Sequence, residues 1–77
     1  MIADADVAKK ITETLLDVSG RIDASVALVQ SRCSEAELEA YRRAAGEVLA
    51  EMWDVLLKPI FAAHPQLAPR ELREDDA

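Results

Sequence analysis

The chain has 77 residues, a net charge of −6 and an apolar fraction of 51%. This length suits one small domain, and the apolar fraction is too high for a disordered chain. The acidic balance argues against nucleic-acid and anionic-membrane binding, since both need clustered Lys and Arg. Apolar content made mostly of Ala, Val, Leu and Ile, with two glycines, predicts an all-α protein.

The expected location is the cytoplasm. Residues 1–6 lack the basic and apolar segments of a signal peptide, and no apolar run approaches a membrane-spanning length. The single cysteine, Cys33, has no second cysteine in the chain for an internal disulfide, which suits a reducing compartment.

The first predicted helix covers about residues 4–32, with Asp4 or Asp6 as its N-terminal cap. Gly20 favours a break in the helix. The three- and four-residue spacing of the apolar residues nevertheless continues unchanged on both sides of it, so one helix is expected. Apolar residues recur at spacings of three and four along one stripe: Val7, Ala8, Ile11, Leu15, Val18, Ile22, Val26 and Val29.

The second predicted helix begins after Ser34 and covers about residues 35–58. Ser34 and Glu37 form a capping-box pattern, so the turn before this helix is short and the two helices are antiparallel neighbours. Pro59 predicts an end or a kink, and it also suits the start of a short helical turn at about 59–64. The predicted domain covers residues 1–66, and a charged, flexible tail is expected at 67–77.

Each helix also carries a second stripe of apolar and small residues, which a lone hairpin has no third surface to cover. The sequence therefore predicts a homodimer in which two hairpins form a four-helix bundle, with Gly20 and Gly46 in one closely packed layer. The residues expected at the interface are Leu16, Gly20, Ala24, Ala27, Gly46, Ala50, Trp53, Leu57, Ile60 and Phe61.

Residues that carry chemistry are few, and a structural role explains each of them better. His64 lies near the predicted helix end, where a cap or surface position is expected, and Cys33 suits a packing role before the helix cap. Tyr41, Arg42 and Arg43 make a weak nucleic-acid signal. We therefore expect no catalytic residue, no metal, no cofactor and no enzymatic activity.

The leading functional hypothesis is a small cytoplasmic protein-interaction domain that acts as a homodimer and binds a further, unidentified protein partner. One alternative is a bundle that binds a small apolar ligand in a pocket near Met52 and Trp53. Another is an acidic partner of a basic protein, as in an antitoxin or immunity role, for which the net charge of −6 is the only support.

Overall fold

The computed structural model describes residues 1–69 as two long helices joined by a short turn, followed by shorter helical segments. Helix α1 is Ala5–Arg32 and helix α2 is Glu35–Met52. A π-helical turn, Trp53–Leu57, leads into α3, Lys58–Ala63, and a 3₁₀ turn covers Pro65–Leu67. Within the described residues every regular element is helical, as the composition predicts.

Helix α1 is continuous over 28 residues. The carboxylate of Asp4 accepts a hydrogen bond from the Val7 amide at 3.0 Å, so the cap is Asp4 rather than Asp6. The helix passes through Gly20 without interruption, which agrees with the unbroken apolar phase of the sequence. A helix of this length extends about 42 Å.

The capping box at Ser34 begins α2 as predicted. The Ser34 hydroxyl accepts from the Glu37 amide at 3.2 Å, and the Glu37 carboxylate accepts from the Ser34 amide at 3.0 Å. Two of the amides left free at a helix start are thereby paired. Only Cys33 and Ser34 separate α1 from α2, so the chain reverses direction in a short turn.

Pro59 does not end the helix, because the preceding turn widens. The Lys58 amide donates to the carbonyl of Trp53, five residues earlier, which is the π-helical pattern. Pro59 has no amide hydrogen, and its ring crowds the carbonyl four residues before it. The wider turn accommodates the proline at the start of α3, where the predicted short helical segment lies.

The best-buried side chains lie at the end of the hairpin opposite the turn. Ala8, Leu57 and Ile60 are fully buried, and Thr12 and His64 are nearly so. The buried Thr12 hydroxyl has a hydrogen-bond partner, since it donates to the Ala8 carbonyl at 2.8 Å. Leu57 and Ile60, which the sequence predicts for a partner contact, are core residues enclosed within one chain.

His64 is also a core residue rather than a surface residue. It ends α3, and its ring Nε2 lies 2.6 Å from the carbonyl oxygen of Ile2. The chain packs beyond this point, because Ala68 is buried and Leu67 is half-buried. The first residues of the predicted tail, 67–69, are therefore partly or fully buried, and its remainder, 70–77, lies outside the described residues.

Candidate interaction surface

The face of α1 that contacts α2 is rotated from the predicted apolar stripe. Seven buried or half-buried positions lie alternately four and three residues apart, as in a coiled-coil seam: Ala8, Thr12, Leu15, Ser19, Ile22, Val26 and Val29. Ser25, beside this seam, is half-buried as well. Val7, Ile11 and Val18 were predicted to lie in this face, but all three side chains are exposed. The hairpin therefore leaves part of its main apolar stripe uncovered.

A hydrogen bond between Ser25 and Tyr41 joins the two long helices and sets their register. The two hydroxyl oxygens lie 2.7 Å apart. Because the Ser25 hydroxyl already donates to the Ile22 carbonyl at 2.6 Å, Tyr41 is the donor in this pair. Ser25 and Tyr41 thus lie at the same level of the antiparallel hairpin and on the same side of it.

Steps of seven residues from this pair lead to two further layers. Seven residues are close to two helical turns, so each step returns to nearly the same side of the helix. By this spacing we expect Val18 and Val48 in the next layer, and Ile11 and Val55 in the one after it, although Val55 lies in the π-helical turn, where the spacing differs. We call the side of the hairpin formed by these three pairs the Val18 face.

The Val18 face holds half of the large apolar side chains that the described residues leave exposed. Ten such side chains are exposed, and five of them belong to the three pairs. These five are Ile11, Val18, Tyr41, Val48 and Val55. Because the free energy of burial scales with apolar area, this side gains most from being covered.

The opposite side of the hairpin, which we call the Trp53 face, contains most of the residues predicted for the interface. A β-carbon placed at Gly20 or Gly46 would meet no atom within 4 Å, so neither glycine is in close contact inside the chain. Apart from Leu16 and the half-buried Trp53, the predicted residues on this side are small. Those exposed to solvent are Leu16, Gly20, Ala24, Ala27, Gly46 and Ala50.

Trp53 and Phe61 form an aromatic pair within the chain. Their ring centroids are 5.7 Å apart, with an angle of 69° between the planes, which is an edge-to-face contact. Both side chains are half-buried, so they join the π-helical turn to α3 and still present some surface to solvent. Their predicted contact with a partner stays a prediction.

The residues that carry chemistry lie apart from one another. Cys33 is exposed at the turn, and His64 is bonded to a backbone carbonyl. Hydrogen bonds from the Ser34 amide and hydroxyl hold the pKa of the Glu37 carboxyl below its usual value, which is a consequence of helix capping. Within residues 1–69 no three His, Cys, Asp or Glu side chains come together as metal ligands would.

Comparison with protein-family models, with curated proteins and with solved structures gave no match. In the described part of the chain, none of the helices combines the length and the apolar content that crossing a membrane requires. The uncovered Val18 face is therefore the feature of the hairpin from which we argue a function.

Proposed function

We propose that this chain is a non-enzymatic, cytoplasmic protein-interaction module that acts as a homodimer, in which two hairpins form a four-helix bundle. The observation that carries the proposal is the Val18 face, where three layers of α1 and α2 side chains are left without a cover. A soluble monomer rarely exposes a continuous apolar patch of this kind, and such patches mark interaction sites.

The dimensions of the face suit a small dimer interface. Two neighbouring helices make a surface about 18 Å wide, since helix axes pack 8–10 Å apart. The layers from Ile11 to Ser25, with their side chains, extend about 30 Å. Two such faces together bury on the order of 1,000 Å², which is the threshold for a biological interface and suits a weak dimer.

The non-enzymatic part of the proposal is supported by the roles of the ionisable residues. Glu37 caps α2, His64 holds the N-terminal segment, and Asp17 pairs with Arg21 on the exposed surface. Each of these groups therefore has a structural role in the hairpin, whereas an acid–base or nucleophilic mechanism needs at least two of them facing one reacting atom.

Light scattering during size-exclusion chromatography tests the proposal. At tens of micromolar, the native chain is expected to elute at about 17 kDa, twice the 8.5 kDa of one chain. Val18→Glu places a charge in the middle of the Val18 face and is expected to give the monomer, because an unpaired buried carboxylate opposes association. A monomeric native chain contradicts the proposal.

Leu16→Glu is the matched control variant. Leu16 lies in the same helix at 42% exposure, against 38% for Val18, but belongs to the Trp53 face. Both variants add the same charge to α1, so the change in net charge affects them alike. If Leu16→Glu gives the monomer and Val18→Glu stays dimeric, the interface is the Trp53 face that the sequence predicts.

A further inference from the structure

We propose that the π-helical turn Trp53–Leu57 is a one-residue register shift, which closes the open end of the hairpin by bringing His64 to Ile2. A π-helical turn takes up one residue more than an α-helical turn. It therefore changes which side chains of the following helix lie against α1. The shift lies within one chain, so it goes beyond the proposed function and does not depend on how copies associate.

The spacing of the buried side chains after the interhelical turn shows this shift. On both sides of the π-helical turn the spacings are four and three, as in α1, but from Met52 to Leu57 the spacing is five. We call the buried and half-buried side chains that follow this pattern the inner row: Ala45, Leu49, Met52, Leu57, Ile60 and His64. Trp53, Pro59 and Phe61, beside this row, are half-buried. The π-helical turn therefore absorbs one residue in an otherwise regular row.

An uninterrupted α-helix would place other side chains in the inner row. Continued beyond Met52, the regular spacing selects the residue just before each of the last three members of the row: Leu56, Pro59 and Ala63. Leu56 and Ala63 are exposed, whereas Leu57 and Ile60 are fully buried. The alternative row would bury smaller side chains and would hold the proline in α-helical geometry, which its ring disfavours. Both features favour the shifted register.

The same shift aligns two contacts at this end of the hairpin. Trp53 and Phe61 are eight residues apart, which in an α-helix places them about 80° apart around the axis. With one residue absorbed, their separation corresponds to seven residues, close to two full turns, and the rings meet with centroids 5.7 Å apart. His64 takes the place of Ala63 in the inner row, and its Nε2 lies 2.6 Å from the carbonyl oxygen of Ile2.

Deletion of one residue tests the register shift. Deleting Leu56 from a Pro59→Ala chain gives the inner row a regular spacing with the same side chains; the alanine is needed because proline would interrupt the continuous helix. We expect this chain to unfold cooperatively in urea, at a midpoint no lower than that of Pro59→Ala alone. We also expect it to keep the nuclear Overhauser contact of His64 with Ile2. Loss of this contact, or of cooperative unfolding, overturns the proposal.

Deletion of Ala44 from the same Pro59→Ala chain is the matched control. Ala44 is exposed in the regular part of α2, so its loss rotates the residues on its two sides by about 100° relative to each other. We expect a lower urea midpoint, because one part of the helix can then no longer place its inner-row side chains against α1. Equal tolerance of the two deletions overturns the proposal.

The native chain provides a second measurement that needs no variant. The Lys58 amide donates to the Trp53 carbonyl, whereas in an α-helix it would donate to the Asp54 carbonyl. Nuclear magnetic resonance detects a scalar coupling across a hydrogen bond between the amide nitrogen and the accepting carbonyl carbon. We expect the coupling of Lys58 to Trp53. A coupling to Asp54 in its place overturns the register shift.

Discussion

The ring Nε2 of His64 lies 2.6 Å from the carbonyl oxygen of Ile2, and this contact joins residues 62 positions apart in the sequence. It is the described side-chain hydrogen bond that connects the two ends of the chain. The N-terminal segment before α1 is thereby held against the end of α3.

His64→Ala is expected to lower the free energy of unfolding by about 1–2 kcal/mol, since it removes a part-buried hydrogen bond and the packing of a buried ring. Urea unfolding at one fixed protein concentration measures the change. Gln30→Ala, at an exposed position of α1, serves as the control and is expected to change the value by less than about 0.5 kcal/mol.

Removal of residues 1–3 tests whether the cost comes from the bond to Ile2. The truncation deletes the acceptor and keeps the Asp4 cap of α1. His64→Ala is expected to cost less in the truncated chain than in the full chain, because the two changes remove the same interaction. Equal costs in both backgrounds show that His64 contributes through packing alone.

The capping box predicts a specific dependence of stability on pH. The pKa of Glu37 is lowered in the folded chain by the hydrogen bonds from Ser34. The stabilisation that comes with a lowered pKa is fully present when the pH is above the pKa of the unfolded chain, near 4.3. It is lost as the pH falls through the lower pKa of the folded chain. Glu37→Gln is therefore expected to be less stable than the native chain at pH 7, with the difference shrinking below about pH 4.

Urea unfolding of both chains between pH 7 and pH 3 measures this difference. Glu47→Gln, at an exposed position of the same helix, controls for the removal of one charge from an acidic chain. A gap between native chain and Glu37→Gln that stays constant down to pH 3 contradicts the assignment of this stability to the capping carboxylate.

The elements that sequence reasoning predicts correctly are those set by local interactions. The capping box spans three residues, and the continuity of α1 through Gly20 follows from the apolar phase on both sides of it. Pro59 shows where helical hydrogen bonding is disturbed. It does not show whether the helix ends, kinks or continues through a π-helical turn, as it does here.

The position of the interhelical seam is harder to predict than the helices themselves. The apolar stripe of α1 is wider than the surface that one partner helix can cover. Which part of the stripe is buried therefore depends on how the two helices are rotated and aligned against each other. Here Thr12 is buried because its hydroxyl is paired with a backbone carbonyl, while Val18 is exposed. The contacts of Ser25 with Tyr41, and of His64 with Ile2, join distant residues and have no local pattern in the sequence.

The hydrogen bond between Tyr41 and Ser25 is expected to contribute modestly to stability. Tyr41→Phe removes the donor, and Ser25 keeps its bond to the Ile22 carbonyl, so no buried group is left unpaired. A decrease of about 0.5–1.5 kcal/mol in the free energy of unfolding is expected. Ser25→Ala combined with Tyr41→Phe is expected to cost less than the sum of the two single changes. Strict additivity shows that the pair does not act as a unit.

Alanine substitution at the two helix glycines distinguishes the two faces of the hairpin. Gly20 and Gly46 both have helical backbones without positive φ, and an added β-carbon meets no atom of the chain within 4 Å. Gly20→Ala and Gly46→Ala are each expected to raise the free energy of unfolding by about 0.5–1 kcal/mol, because alanine loses less backbone entropy on folding.

The dimer dissociation constant gives the second readout of the same variants. If copies associate through the Val18 face, both variants are expected to dimerise as the native chain does, since the glycines lie on the Trp53 face. Ala24→Gly, the reverse change at an exposed position of α1, is expected to lower stability by about 1 kcal/mol without affecting association. Association that weakens in Gly20→Ala and Gly46→Ala despite their higher stability places the helix crossing at the two glycines instead, because the added methyl groups prevent the close approach of backbones there.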